Sequence, residues 1–270
     1  MSFFDAILLG ILQGLTEFLP VSSSGHLVIF QKLLGWSEHS VEFDIAVHVG
    51  TTFSILTIYI RVLWDFCRGL VSATLKREIN PSSRLLWLMF VGSLPTAAIG
   101  LTFKKELEGL FNSPPLVGIF LCITGLMLFV VRSKGASQTS AIALNLDVAE
   151  KVSVKQALAM GLAQGIAIAP GISRSGATIA AGMLAGIERN SAAMFSFIMS
   201  VPAILGAATL KMREISALDT NALPMLSVGL LAAYLSGLLG LWLVLKVVHK
   251  GRLEIFSYYL WIVGVLTIVW

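Results

Sequence analysis

Charge is what this sequence has least of. Asp, Glu, Lys and Arg make up only 13% of its 270 residues, against about 25% in an ordinary soluble domain. A soluble fold of this size could not cover the 56% that is hydrophobic without leaving wide apolar patches in water. Cysteine is nearly absent. Cys67 and Cys122 stand far apart with no CxxC and no neighbouring histidine, which excludes a zinc framework or disulfide scaffold and leaves them as packing residues. The first residues lack the basic run of a signal peptide: Asp5 is the only early charge, and Gln13, Thr16 and Glu17 interrupt the apolar stretch. The formal charge of +4 does not imply nucleic acid as a partner. Its basic residues sit in short loops between apolar runs, as on the cytoplasmic face of a membrane protein.

What is present, at a mean hydropathy of +0.87, is a row of apolar runs broken by two polar stretches. Residues 3–18 are apolar but shorter than the roughly 20 residues a helix needs to cross the hydrocarbon. They end at Pro20 and three serines, and residues 24–34 run back to Gly35. This predicts a helix-loop-helix over 3–34 that enters and leaves by one side, with its irregular tip facing protein or a wet cavity. Spans are expected over 43–65, 85–103 and 115–131, with a basic loop carrying Arg68, Lys76, Arg77 and Arg84 after the first. The polar stretch 133–153 marks the midpoint. The scheme then repeats, with a hairpin over 154–187 and spans over 191–210, 223–247 and 254–270.

The expected fold class is therefore an all-α polytopic membrane protein, with six transmembrane helices and two re-entrant hairpins. Residues 1–132 form the first repeat, 133–153 a cytoplasmic connection and 154–270 the second repeat. Three crossings is an odd number, so the second hairpin must start from the opposite face, which makes an inverted-topology repeat. Loop charges set the orientation: five Lys and Arg fall on the side from which the first hairpin enters and thirteen on the other. The richer side is cytoplasmic, so both termini face outward.

The two hairpin tips carry the chemistry. Arg174, within Pro170-Gly171-Ile172-Ser173-Arg174-Ser175-Gly176-Ala177-Thr178, is a permanent cation whose placement at the bilayer centre costs about 2.5–3.5 kcal/mol. It needs an anionic partner, and Glu17 in the Gln13 to His26 stretch supplies one. The stretches share a spacing: twelve positions separate Gln13 from Gly25 and Gln164 from Gly176. Gln13 and Glu17, four apart, share a helix face and can hold a divalent cation or a water. Ser22, Ser23 and Ser24 follow, with His26 at the start of the returning helix. Gly171 and Gly176 permit close backbone approach to a ligand, and Ser173, Ser175 and Thr178 surround Arg174 at a second helix start. Helix N-termini attract anions, and a planar guanidinium suits phosphate oxygens. Together these groups form a phosphate-ester site, with Glu17 and His26 able to accept and donate protons. Asp44 and His48, one helical turn apart in the first span, read as a hydrogen-bonded pair inside that helix.

Gln13 to Glu17 running into Pro20-Val21-Ser22-Ser23-Ser24-Gly25-His26, with Pro170 to Thr178 about 150 residues later, resembles the signatures of the undecaprenyl-diphosphate phosphatases of bacterial cell-wall synthesis. The resemblance covers nearly the whole chain. It implies hydrolysis of undecaprenyl diphosphate to undecaprenyl phosphate and inorganic phosphate, aided by Mg²⁺ or Ca²⁺, at a site open to the outer face of the bacterial plasma membrane. Tolerance to bacitracin follows, because that antibiotic sequesters the substrate. Carried over residue by residue, Glu17, Ser23, His26, Ser173, Arg174, Ser175 and Thr178 are the catalytic and phosphate-binding positions, with Ser22, Gly171 and Gly176 lining the phosphate and Glu17 and Gln13 at the metal. Many members carry Glu where this chain has Gln13, which can act as a carbonyl ligand or a hydrogen-bond donor. Ser23 or a water attacks, and His26 or Glu17 takes the proton. The expected partners are the C55 lipid and the bilayer, with room for a homodimer. A secondary transporter or polyprenyl-phosphate flippase would use the same architecture, with Glu17 as ion ligand and Arg174 as substrate anchor.

Overall fold

The computed structural model of the chain describes residues 2–36, 40–132, 148–215, 223–250 and 253–270. Every regular element among them is a helix. Helix α1 (Phe3–Phe18) starts at a capping box, in which Ser2 and Asp5 satisfy each other's backbone amides. It stops because Pro20 pushes Leu19 into the extended region, φ −63° and ψ 139°. Ser22 then turns the chain in a left-handed conformation, φ 67°, and caps α2 (Ser23–Leu33). The second hairpin is built alike. Helix α9 (Val154–Ile166) opens on a capping box of Ser153 and Gln156, Gly171 takes the turn at φ 99°, and Ser173 caps α10 (Arg174–Leu184). At Gly171 a side chain is excluded twice over, because an added Cβ would also strike the Val117 carbonyl.

Between and after the hairpins come α3 (Val41–Ile58), α4 (Ile60–Lys76), α5 (Pro81–Thr102), α6 (Lys104–Leu110), α7 (Pro114–Val131), α8 (Val148–Lys151), α11 (Arg189–Ile215), α12 (Leu223–Lys250) and α13 (Glu254–Val269). Among the described residues, four helices are long and apolar enough to cross a membrane: Pro81–Thr102, Pro114–Val131, Arg189–Leu210 and Leu223–Val247. Each falls on an expected span. Helix α13, expected to cross over 254–270, is apolar but has 16 residues, about 24 Å at 1.5 Å per residue. Outward-facing Leu86, Trp87, Phe90, Leu126, Leu231 and Leu235 suit a lipid surround and would be costly in water.

The first expected span is corrected. It does not run straight to residue 65: α3 ends at Ile58, and the chain bends by 76° into α4. Arg61, Asp65 and Arg68 follow the bend, and charges at that spacing are expelled from the hydrocarbon. Arg68 and Lys76, expected in a loop, therefore lie on a helix, and Cys67, expected to pack, is exposed on it. The polar link after the second span is likewise helical as α6. Of the expected connection 133–153, residues 133–147 lie outside the described residues.

Packing crosses between the two halves of the sequence. Helix α1 lies along α12, α9 lies along α5, α7 pairs with α13, and α3 contacts both α12 and α11. Small residues allow the two hairpin contacts, as between membrane helices generally. Gly10 and Gly14 of α1 abut the α12 backbone near Gly229 and Ala233, while Gly161 and Gly165 of α9 abut Gly92 and Pro95 of α5.

Candidate active site

The two hairpin tips touch. The Gly171 amide donates to Ser22 Oγ at 3.1 Å, and Ser175 Oγ donates to the Leu19 carbonyl at 3.3 Å. Thr124 of α7 steadies the second tip, donating to the Gly171 carbonyl at 3.0 Å and accepting from the Ser173 amide at 3.1 Å. Gly25 packs so closely on Gly171 that an added Cβ would sit 3.0 Å from its Cα.

Glu17 is the centre of this junction. It lies in the last turn of α1 with its side chain only 3% exposed, so each oxygen needs partners. Oε1 is paired with Arg174 Nη2 across the two tips. Oε2 accepts from Gln13 Nε2 at 2.8 Å and from Ser23 Oγ at 2.6 Å, and His48 Nε2 of α3 lies 3.5 Å away. Ser23 reaches it because the left-handed Ser22 folds the start of α2 back over the end of α1. Arg174 keeps 22% of its side chain exposed, so it remains open to an incoming anion.

The other expected positions are arranged differently. His26 Nδ1 lies 2.8 Å from the Ser22 carbonyl. A carbonyl only accepts, so Nδ1 carries the proton and Nε2 accepts from Tyr259 Oη of α13 at 2.6 Å. The rings stack 8° from parallel. His26 thus faces the last helix, while Ser23 faces Glu17. Thr178 donates to the Arg174 carbonyl at 2.7 Å and meets Ser196 Oγ of α11 at 2.5 Å, tying α10 to its neighbour. Ser173 Oγ accepts from the Gly176 amide at 3.1 Å and lies 3.3 Å from Ser175 Oγ. Helices α2 and α10 both begin at this junction, through Ser23 and Arg174, and helix N-termini carry positive potential.

Sequence reasoning passed over three contributors. The sequence pairs His48 with Asp44, and the structure keeps that bond through the Asp44 backbone while adding a contact to Glu17. In the structure its Nδ1 meets the Asp44 backbone carbonyl at 2.6 Å, while the Asp44 carboxylate accepts from Gln31 Nε2 at 2.9 Å, and Nε2 is turned to Glu17. An imidazole in an otherwise apolar span was the available signal. Thr124 and Tyr259 carry none, since single hydroxyls on apolar helices occur at many positions.

For a cation, the chain offers Glu17 and Gln13. Gln13 is fully buried, and its Oε1 has no hydrogen-bond partner among the described residues. No cluster of three or more His, Cys, Asp or Glu side chains occurs among them. One carboxylate and one amide oxygen suit a hard ion that takes its remaining ligands from substrate phosphates.

The model of the bacitracin resistance protein BacA family matches residues 6–266. The chain belongs to the BacA family. Among its relatives, the undecaprenyl-diphosphatase of Carboxydothermus hydrogenoformans is 43% identical over 100% of this chain and 97% of its own length. That of Desulforapulum autotrophicum is 39% identical over 100% and 98%, and that of Methanosphaera stadtmanae 37% over 98% and 96%. BacA membership thus extends across both hairpins and the helices around them.

Proposed function

We propose that this chain is an integral membrane phosphatase that hydrolyses undecaprenyl diphosphate to undecaprenyl phosphate and inorganic phosphate, returning the lipid carrier to peptidoglycan synthesis. BacA membership and relatives bearing that enzyme's name support the reaction. The observation that carries its chemistry is the sharing of one buried carboxylate between a hydroxyl and a guanidinium. Glu17 accepts from Ser23 at 2.6 Å, the arrangement of a nucleophile beside its base, and Arg174 sits opposite.

In this reading the terminal phosphate enters at the open side of Arg174 and takes the guanidinium from Glu17. The freed carboxylate accepts the Ser23 proton as Oγ attacks phosphorus. The bridging P–O bond breaks and undecaprenyl phosphate departs. Water then hydrolyses the phosphoserine, releasing inorganic phosphate and restoring Ser23. A water attacking directly in place of Ser23 would use the same base. Arg174 and the first-turn amides of α2 and α10 stabilise charge on the phosphoryl oxygens, the main catalytic demand in phosphoryl transfer. Mg²⁺ or Ca²⁺ would be held by Glu17 and Gln13 Oε1 and would neutralise diphosphate charge. His26, held between the Ser22 carbonyl and Tyr259 Oη, shapes the α2 start.

Hairpins 3–34 and 154–187 are read as re-entrant, set in an inverted repeat of six crossings. The exchange of partners supports this, since α1 rests on α12 of the other half as α9 rests on α5. The site then opens to the outer face with both termini outside. The same exchange suits a secondary transporter or flippase, and one experiment separates the two. Detergent-purified protein given a C15 or C55 diphosphate with Mg²⁺ or Ca²⁺ is expected to release phosphate, whereas transport needs a sealed membrane. Absence of release under all these conditions would falsify the hydrolase reading.

A further inference from the structure

The bend at Tyr59 gives α4 two unlike faces. One is fastened to the protein: Val62 and Ala73 are buried, Asn80 Nδ2 donates to the Gly69 carbonyl at 2.7 Å, and an added Cβ at Gly69 would strike Ser82. The other carries Ile60, Trp64, Val71 and Leu75, which are 61%, 64%, 60% and 79% exposed, together with exposed Cys67. Spacings of three and four place these five on one stripe. Arg61, Arg68 and Lys76 are exposed along one edge of it with Asp65 among them, so the edge carries a net of two positive charges. Trp64, Cys67, Arg68, Val71, Ser72, Leu75 and Lys76 form an open, largely apolar patch along this one helix.

This pattern selects its occupant. With Arg61, Asp65, Arg68 and Lys76 on 17 residues, α4 cannot cross hydrocarbon, and a bend of 76° from α3 turns it toward the membrane plane. An apolar stripe with a basic edge is the form of a helix lying in the interface. A second copy of α4 would bring together two edges that each carry a net positive charge, only partly offset by Asp65. A molecule with an apolar tail and an anionic head meets both the patch and the edge.

We propose that α4 lies in the membrane surface and forms a binding site for an anionic phospholipid, its acyl chain along the Trp64 to Leu75 stripe and its headgroup phosphate against Arg68 and Lys76. The site is separate from the Glu17 and Arg174 junction and independent of the hydrolytic chemistry. Basic residues near an anionic surface each strengthen binding about fivefold.

The test uses the full chain in phosphatidylcholine nanodiscs containing increasing mole fractions of brominated phosphatidylglycerol or brominated phosphatidylcholine. Trp64 emission is isolated by subtracting the Trp64→Phe variant. Half-maximal quenching by the anionic lipid is expected at a mole fraction about 25-fold below that for the zwitterionic lipid, about fivefold for each of Arg68 and Lys76. Arg68→Gln should reduce this preference about fivefold, and adding Lys76→Gln should remove it. Should Trp64→Phe fail to fold, a fluorophore on Cys67 in a Cys122→Ala background gives the same readout. Equal quenching by both lipids would overturn the lipid site. Quenching by neither would overturn the membrane-surface placement as well.

Discussion

Glu17 is gripped from several directions at once, and that makes its replacement informative. Glu17→Gln removes the proposed base and should lower kcat by about 10²–10⁴-fold. It also leaves the Arg174 guanidinium without its counter-charge, and breaking a buried pair from one side costs about 3–5 kcal/mol. The double variant Glu17→Gln/Arg174→Gln should recover much of that stability in a detergent thermal melt while remaining inactive. A double variant no more stable than the single one would show that the pair is not held against desolvation. Arg174→Lys keeps the charge but loses the planar fork, and should lower kcat/KM by about 10²–10³-fold. Tyr259→Phe leaves His26 Nε2 without its donor. It should lower stability by about 1–3 kcal/mol with little change in KM, measured by thermal melt and initial rates. The residues legible in the sequence were those whose chemistry is out of place in lipid. Arg174 demanded an anion and Glu17 supplied it, while Tyr259, Thr124 and Ser196 are acceptable on any membrane helix until packing brings their hydroxyls to the site.

Elements were legible where composition and length agree. Both hairpins announce themselves by apolar runs too short to cross, ending in Pro and hydroxyls, and α1, α2, α9 and α10 lie where those runs stand. The break at Tyr59 was not, because the apolar character of 43–65 fades gradually and the charges of α4 read equally well as a loop. Helix-to-helix contacts were hidden too: a glycine four residues from another says that something approaches closely, not what. Gly161 meets the Gly92 backbone of α5, so Gly161→Val should force α9 off α5. The cost is about 1–3 kcal/mol or more, read as a lowered melting temperature. A Gly161→Val melt equal to that of the parent would mean the two helices are less tightly apposed than described.

At the scale of the molecule, the partner exchange between halves accounts for how two tips from distant sequence share one carboxylate. The Ser22 to Gly171 bond spans 149 positions and forms only if both hairpins are set to the same depth. Orientation is read from charge alone and is checked by labelling. In a chain without Cys67 and Cys122, Glu78→Cys should resist an impermeant maleimide in intact cells and react once the membrane is opened. Reaction in intact cells would reverse the sidedness, and with it the face to which the site opens.

The seating of α1 against α12 also bears on biosynthesis. Helix α1 is made before its glycine-matched neighbour α12, whose Gly229 follows Gly10 by 219 positions. At about 5–20 residues per second, it waits roughly 10–40 s for that neighbour. For the larger part of that interval, until Arg174 is made 157 positions after Glu17, the nascent chain shelters an acidic side chain without its cation, by remaining shallow or by borrowing a temporary companion.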